Sequence, residues 1–142
     1  MKLYTDIDGV ILGKSDISHR PALANYVEQY LEYCLENFDT YWLTTHCRGD
    51  AETALNYLES YASPEIMSLL SNIKPTNFKT FKTEALSGDF IWVDDQPTAY
   101  EILFLEQNDL LHRWYQVNTR KNNNELLSLI ESLKQLKKTG CV

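Results

Sequence analysis

The stretch Leu3-Tyr4-Thr5-Asp6-Ile7-Asp8-Gly9 decides how the chain reads. Its first three residues favour a strand, and they run straight into two carboxylates one residue apart. Two later stretches repeat the design. Thr40-Tyr41-Trp42-Leu43 is β-prone and runs into Thr44-Thr45, and Phe90-Ile91-Trp92-Val93 ends at Asp94-Asp95. Between the strands lie helical patterns. Leu23, Val27, Tyr30, Leu31, Cys34 and Leu35 recur at helical spacing behind Pro21, which suits a helix start, and Ala54, Leu55, Leu58 and Tyr61 share one side of a second helix.

Residues 9–19 read as a polar loop with Gly9 and Gly13. A short helix is expected near Pro64–Leu70 and a weak strand over 78–81. A helix over about 98–107, a strand over about 113–117 and an amphipathic helix carrying Leu126, Leu127, Ile130 and Leu133 follow. Strands alternating with helices predict an α/β fold, a three-layer α/β/α sandwich around a doubly wound, mostly parallel sheet. The 3–5 strand is expected at its centre, flanked by the strands that end at Thr44 and Asp94. No repeat, low-complexity tract or linker interrupts the chain, so one domain over residues 1–142 is expected.

Composition narrows the function classes. With 44% hydrophobic and 23% charged residues, the chain has the make-up of an ordinary globular protein. A net charge of −7 argues against a general binder of nucleic acid or acidic membranes, because polyanions are repelled. The acid excess is uneven: residues 1–60 carry ten Asp/Glu and four Lys/Arg, whereas 74–142 carry nine of each. The three cysteines, Cys34, Cys47 and Cys141, have no metal-type spacing, and an unpaired set fits a reducing compartment. Acids at positions 6 and 8 argue against a signal peptide, and no stretch approaches the roughly 20 apolar residues of a membrane span. A soluble, cytoplasmic protein is the expectation.

In parallel α/β sheets, ligands bind at the carboxyl ends of the strands. Asp6/Asp8, Thr44/Thr45 and Asp94/Asp95 would all project there. Clustered carboxylates repel unless a cation neutralises them, and Mg²⁺ is the natural partner, taking one or two carboxylates together with phosphate oxygens. A carboxylate beside it can attack phosphorus, while a threonine hydroxyl and a lysine ammonium hold the phosphoryl oxygens.

Tyr4-Thr5-Asp6-Ile7-Asp8-Gly9-Val10 resembles the first motif of the haloacid-dehalogenase (HAD) superfamily, DxDG after a hydrophobic strand. Tyr41-Trp42-Leu43-Thr44 is similar to its second motif and Ile91-Trp92-Val93-Asp94-Asp95 to its fourth. The order of the motifs is also the family's, and the likeness covers nearly the whole chain. It implies a Mg²⁺-dependent phosphatase with Asp6 as nucleophile and metal ligand. Asp8 would be the general acid/base, with its backbone carbonyl on the metal, and Gly9 would let the chain turn. Thr44 would donate to the phosphoryl group. Asp95 would be a direct metal ligand and Asp94 a supporting one. The family's lysine has three candidates, Lys74, Lys79 and Lys82; Lys82 is favoured because Lys82-Thr83-Glu84-Ala85-Leu86 looks like the opening of a short helix. Thr45 competes with Thr44 in the same way.

Receiver domains use similar residues, but they place the acidic pair after the first strand and a lone acceptor aspartate later. The order here is the reverse. HAD enzymes usually carry a cap, for which residues 10–19 and 46–81 leave little room. A capless enzyme of this kind implies a phosphorylated substrate, small or macromolecular, or a neighbouring copy serving as lid in a homo-oligomer. Two rival readings share the residues: a catalytically silent HAD-like binding module and a phosphotransferase. Of the remaining polar residues, Asp50 reads as a helix cap and Arg48 as a substrate contact or a solvated side chain. His46 and Cys47 do not make a zinc site. Trp42, Trp92, Trp114 and Tyr115 read as core, and Lys134, Lys137 and Lys138 as a solvated helix end.

Overall fold

Four strands form one parallel sheet, and their register fixes everything that happens at its carboxyl edge. β1 (Lys2–Thr5) lies between β4 (Asp39–Trp42) and β5 (Phe90–Asp94), and β6 (Trp114–Gln116) extends the sheet beyond β5. The chain therefore starts in the middle, builds to one edge, then crosses back over β1 to build the other. β2 (Leu12–Lys14) and β3 (Pro21–Leu23) form a separate antiparallel hairpin. The helices are α1 (Val27–Asn37), α2 (Glu52–Leu58), α3 (Pro64–Leu70), α4 (Ala99–Gln107) and α5 (Glu125–Thr139), with 3₁₀ turns at Lys82–Ala85 and Leu111–Arg113. The structure, a computed structural model, describes residues 1–139, so Cys141 lies outside the described residues.

Alternation along the strands divides the core in two. Leu3, Trp42, Ile91 and Val93 face one side, where they meet Tyr30, Leu31 and Cys34 of α1, Leu58 of α2, Leu70 of α3 and Leu126, Ile130 and Leu133 of α5. Tyr4, Phe90 and Trp92 face the other side and meet Leu105 of α4. The layers are unequal, since α4 and the 3₁₀ turns cover a face that the other four helices leave to them. Trp42 and Trp92 are fully buried, as expected for core side chains, whereas Trp114 and Tyr115 are half-buried at the β6 edge. Cys34 is a buried free thiol whose pKa is pushed up by burial. Among the described residues no helix is long and apolar enough to cross a membrane.

Three elements differ from the sequence reading. Pro21 does not begin a helix; it opens β3, opposite Lys14, where a residue without an N–H is tolerated at the end of an edge strand. The helical stripe thus loses Leu23 to the hairpin and starts at Val27, behind Tyr26 at φ 66°. The polar loop over 9–19 contains β2. No strand forms over 78–81, because the Glu84 carboxylate accepts the backbone N–H groups of Lys79, Thr80 and Phe81 at 3.0, 3.1 and 2.8 Å. With those donors taken, that segment has fewer groups left to make a ladder. In α5, Leu126, Ile130 and Leu133 are buried but Leu127 is 43% exposed. Leu126→Ala should therefore cost about 2–5 kcal/mol of unfolding free energy and Leu127→Ala less than about 1 kcal/mol. Urea unfolding measures both, and equal losses would contradict this helix phase.

Candidate functional site

Register brings the acids together. Thr5 pairs with Trp42 on one side and Val93 on the other, so the residues that follow leave the sheet at one level. The exits are tied across as well: Asp6 N–H donates to Val93 O at 3.0 Å and Leu43 N–H to Thr5 O at 2.9 Å. Asp6 and Asp94 thus become neighbours, and Asp95 joins them. One carboxylate oxygen from each of Asp6, Asp94 and Asp95 lies within 4.8 Å of the others, a group that could hold a metal ion.

Among the described residues, Lys82 is the cation paired with this group. Its Nζ lies 2.7 Å from Asp94 Oδ2 and 3.2 Å from Asp6 Oδ2, with the side chain largely buried. The turn that presents it is held from below, since Lys82 N–H donates to Glu101 Oε2 at 2.6 Å. Glu101 is itself buried, and its other oxygen accepts the Thr98 N–H at 2.8 Å in a capping box at the start of α4. Lys74 pairs instead with Asp39 at 2.6 Å, beside a cleft at the opposite end of the sheet. Lys79 is exposed and gives its backbone N–H to Glu84.

One ammonium cannot neutralise so many carboxylates. Burial and then the Asp94 charge push Asp6 from 3.8 up to about 7, against the pull of Lys82 and of the Ile7 N–H at 2.8 Å. Burial also raises Asp94, although Lys82 and the Gln96 N–H hold it back. Burial disfavours a charged Lys82, but the two aspartates outweigh it and hold its pKa up. The site is short of positive charge, which is the condition a divalent cation relieves.

Asp8, two residues on, lives in a different environment. Tyr57 Oη donates to its Oδ1 at 2.7 Å, and His46 Nε2 meets its Oδ2 at 2.9 Å. Arg120 stands 3.6 Å from Oδ1. Partial burial raises the Asp8 pKa, yet the bonds from Tyr57 and His46 and the charges of His46 and Arg120 carry it below the usual value. Sequence reading missed Tyr57 and Arg120 and gave His46 no role. The carboxyl-edge rule could have drawn attention to Arg120, which follows β6, and to His46, which follows β4. Nothing in the local pattern around Tyr57 marks it, because its approach to Asp8 depends on how α2 packs.

Thr44 is buried and its Oγ1 accepts the His46 N–H at 3.2 Å, while Thr45 is exposed. Asp50 caps α2 through the Glu52 and Thr53 N–H groups. Arg48 donates to Lys79 O at 2.8 Å and lies 4.5 Å over the Phe78 ring. Gly9 has φ +79°, and a Cβ there would come within 2.7 Å of Asp95 Cγ, so only glycine fits beside that carboxylate. Asp6, Asp94 and Asp95 converge, while the Asp8 side chain bonds Tyr57 and His46.

Comparison with protein-family models, curated proteins and solved structures found no match. The chemistry rests on the geometry of the site. Because Asp6 titrates higher in the folded protein than its ordinary 3.8, the native state keeps a proton that the unfolded chain releases. Its contribution to stability therefore falls as pH rises from about 4 to about 7. A cation favours the ionised form, so a divalent cation held by this group, probed with Mg²⁺, should raise the melting temperature more at about pH 8 than at about pH 5. Thermal unfolding with and without Mg²⁺ tests this, and an equal shift at both pH values would contradict it.

Proposed function

We propose that the chain is a Mg²⁺-dependent phosphomonoester hydrolase that acts through an aspartyl-phosphate on Asp6. The observation that carries the reading is the convergence of Asp6, Asp94 and Asp95 within 4.8 Å around a single lysine. The ordered likeness of Asp6-Ile7-Asp8-Gly9, Thr44 and Asp94-Asp95 to the HAD motifs supports it. The donor set fits the ion: all carboxylate oxygens, hard and anionic, with too little protein charge to balance them. Asp6 and Asp95 would hold Mg²⁺ with the Asp8 backbone carbonyl, while Asp94, whose oxygens bond Lys82 and Gln96, supports them. Bound there, the ion would supply charge neutralisation for the phosphoryl oxygens and for the crowded carboxylates.

The chain's own residues perform the transfer. A carboxylate oxygen of Asp6 attacks phosphorus as the bond to the leaving oxygen breaks. The electron pair of that bond goes to the leaving oxygen, which takes a proton from Asp8. Water then attacks the phosphorus of the aspartyl-phosphate and gives its proton to Asp8, releasing inorganic phosphate and restoring Asp6. Lys82 and the Thr44 hydroxyl hold the phosphoryl oxygens as charge shifts among them. Asp8 is a carboxylate in the resting protein, ready as a base. A bound phosphate dianion raises its pKa by like-charge repulsion and equips it as an acid.

The covering elements are small. Between β1 and α1 only the β2–β3 hairpin intervenes, and between β4 and β5 lie α2, α3 and one 3₁₀ turn. Substrates with a phosphate at the end of a larger group suit such a site, as does a second copy acting as lid.

Turnover should require Mg²⁺ and cease on chelation. Asp6→Asn should abolish turnover and phosphoenzyme together. Asp8→Asn should slow an alkyl phosphate by at least ~10²-fold and let phosphoenzyme build up from an activated aryl phosphate. Rapid-quench kinetics on both variants gives the answer; phosphoenzyme on the Asp6→Asn protein, or Mg²⁺-independent turnover, would overturn the reading.

A further inference from the structure

We propose that Tyr57 and His46 are positioning residues for Asp8, gripping its two carboxylate oxygens from a stacked ring pair so that the group faces the leaving oxygen. The inference rests on the phosphatase reading of the site. Asp8 follows the strand end, with its side chain 31% exposed, and without partners it would turn freely about its side-chain bonds. Each oxygen instead has its own donor, Tyr57 Oη on Oδ1 at 2.7 Å and His46 Nε2 on Oδ2 at 2.9 Å. A carboxylate bonded at both oxygens is restrained against both rotation and swing.

The grip is stiff because its two halves brace each other. The His46 and Tyr57 rings stack with centroids 3.9 Å apart and planes 12° from parallel. They come from different elements, one from the exit of β4 and the other from α2. His46 is fixed by its backbone N–H on Thr44 Oγ1, which ties it to the neighbouring phosphoryl-holding group. Tyr57 is fixed by α2, whose Ala54 and Leu58 are fully buried and whose first turn Asp50 caps. Arg120 stands farther off and is about half exposed, so it adds charge and little orientation. A misplacement of about 1 Å at a reacting group can cost on the order of 10²-fold in rate, which is the scale of effect such a grip prevents.

A positioning role and a merely structural one predict different kinetics. Proton delivery matters most when the leaving group is a poor one, so loosening Asp8 should penalise alkyl phosphates more than aryl phosphates. Loss of structure would slow both alike. The substitution Tyr57→Phe removes one hydroxyl and keeps the ring for stacking. His46→Gln keeps an N–H donor at a similar reach, and His46→Leu removes it.

The experiment compares single-turnover phosphoenzyme formation from p-nitrophenyl phosphate and glycerol phosphate in the full chain with Mg²⁺. Tyr57→Phe and His46→Leu should each raise the aryl-to-alkyl rate ratio by about tenfold or more, and His46→Gln should restore at least half of that loss on a logarithmic scale. Added to Asp8→Asn, Tyr57→Phe should change the ratio by less than about twofold, since residues acting through one another are not additive. Equal slowing of both substrates, or a full additional effect in the Asp8→Asn background, would overturn the positioning role while leaving the phosphatase reading intact. A wild-type protein that forms no phosphoenzyme from either substrate would overturn both.

Discussion

The constraint on which the site depends is the crowding of Asp6, Asp94 and Asp95 against one ammonium. Strand register imposes it: with Thr5 level with Val93, the next residue of each strand is an aspartate at the same height on adjacent strands. Left alone, such a group lowers its own charge by taking up a proton, and burial and the Asp94 charge shift Asp6 in that direction. The surrounding structure keeps the group together regardless. The Asp94 side chain accepts the Gln96 N–H and its carbonyl the Trp114 Nε1–H, Glu101 fixes the backbone of Lys82, and Gly9 leaves room for Asp95. The arrangement holds a charge imbalance in place in a group that could hold a metal ion.

The two aspartates of the DxD are driven apart electrostatically although only Ile7 separates them. Asp6 is buried beside a like charge and shifts up; Asp8 is half-exposed among donors and shifts down. In the proposed reaction Asp6 must be ionised to attack and Asp8 must carry a proton for the leaving oxygen, so both shifts have to be offset, the first by a bound cation and the second by the charge of the substrate phosphate. Ile7 itself is fully buried, which anchors the turn between them.

Much of this was legible in the sequence because it depends on local pattern. The runs ending at Asp6, Thr44 and Asp94 are β-prone segments stopped by polar residues, and the carboxyl-edge rule places their ends together. Lys82 could be favoured over Lys79 because it opens a turn, and the turn is there, as a 3₁₀ helix. What remained hidden depends on contacts between distant segments. Tyr57 reaches Asp8 across 49 residues and Glu101 reaches Lys82 across 19, with no spacing rule to announce either. Pro21 misled because its fixed φ and missing N–H suit a helix start and an edge strand alike. The strand expected over 78–81 was lost to one side chain, Glu84, whose carboxylate takes the donors a ladder would have used.

The central claim is that Asp6 carries the phosphoryl group. It is tested most directly by quenching a single turnover with borohydride, which reduces an acyl phosphate to the alcohol, and locating the altered residue by peptide mass spectrometry. The account predicts conversion of the side chain at position 6 to that of homoserine, dependent on substrate and on Mg²⁺. Reduction at Asp8, Asp94 or Asp95 instead, or turnover with no reducible acyl phosphate anywhere in the chain, would contradict it.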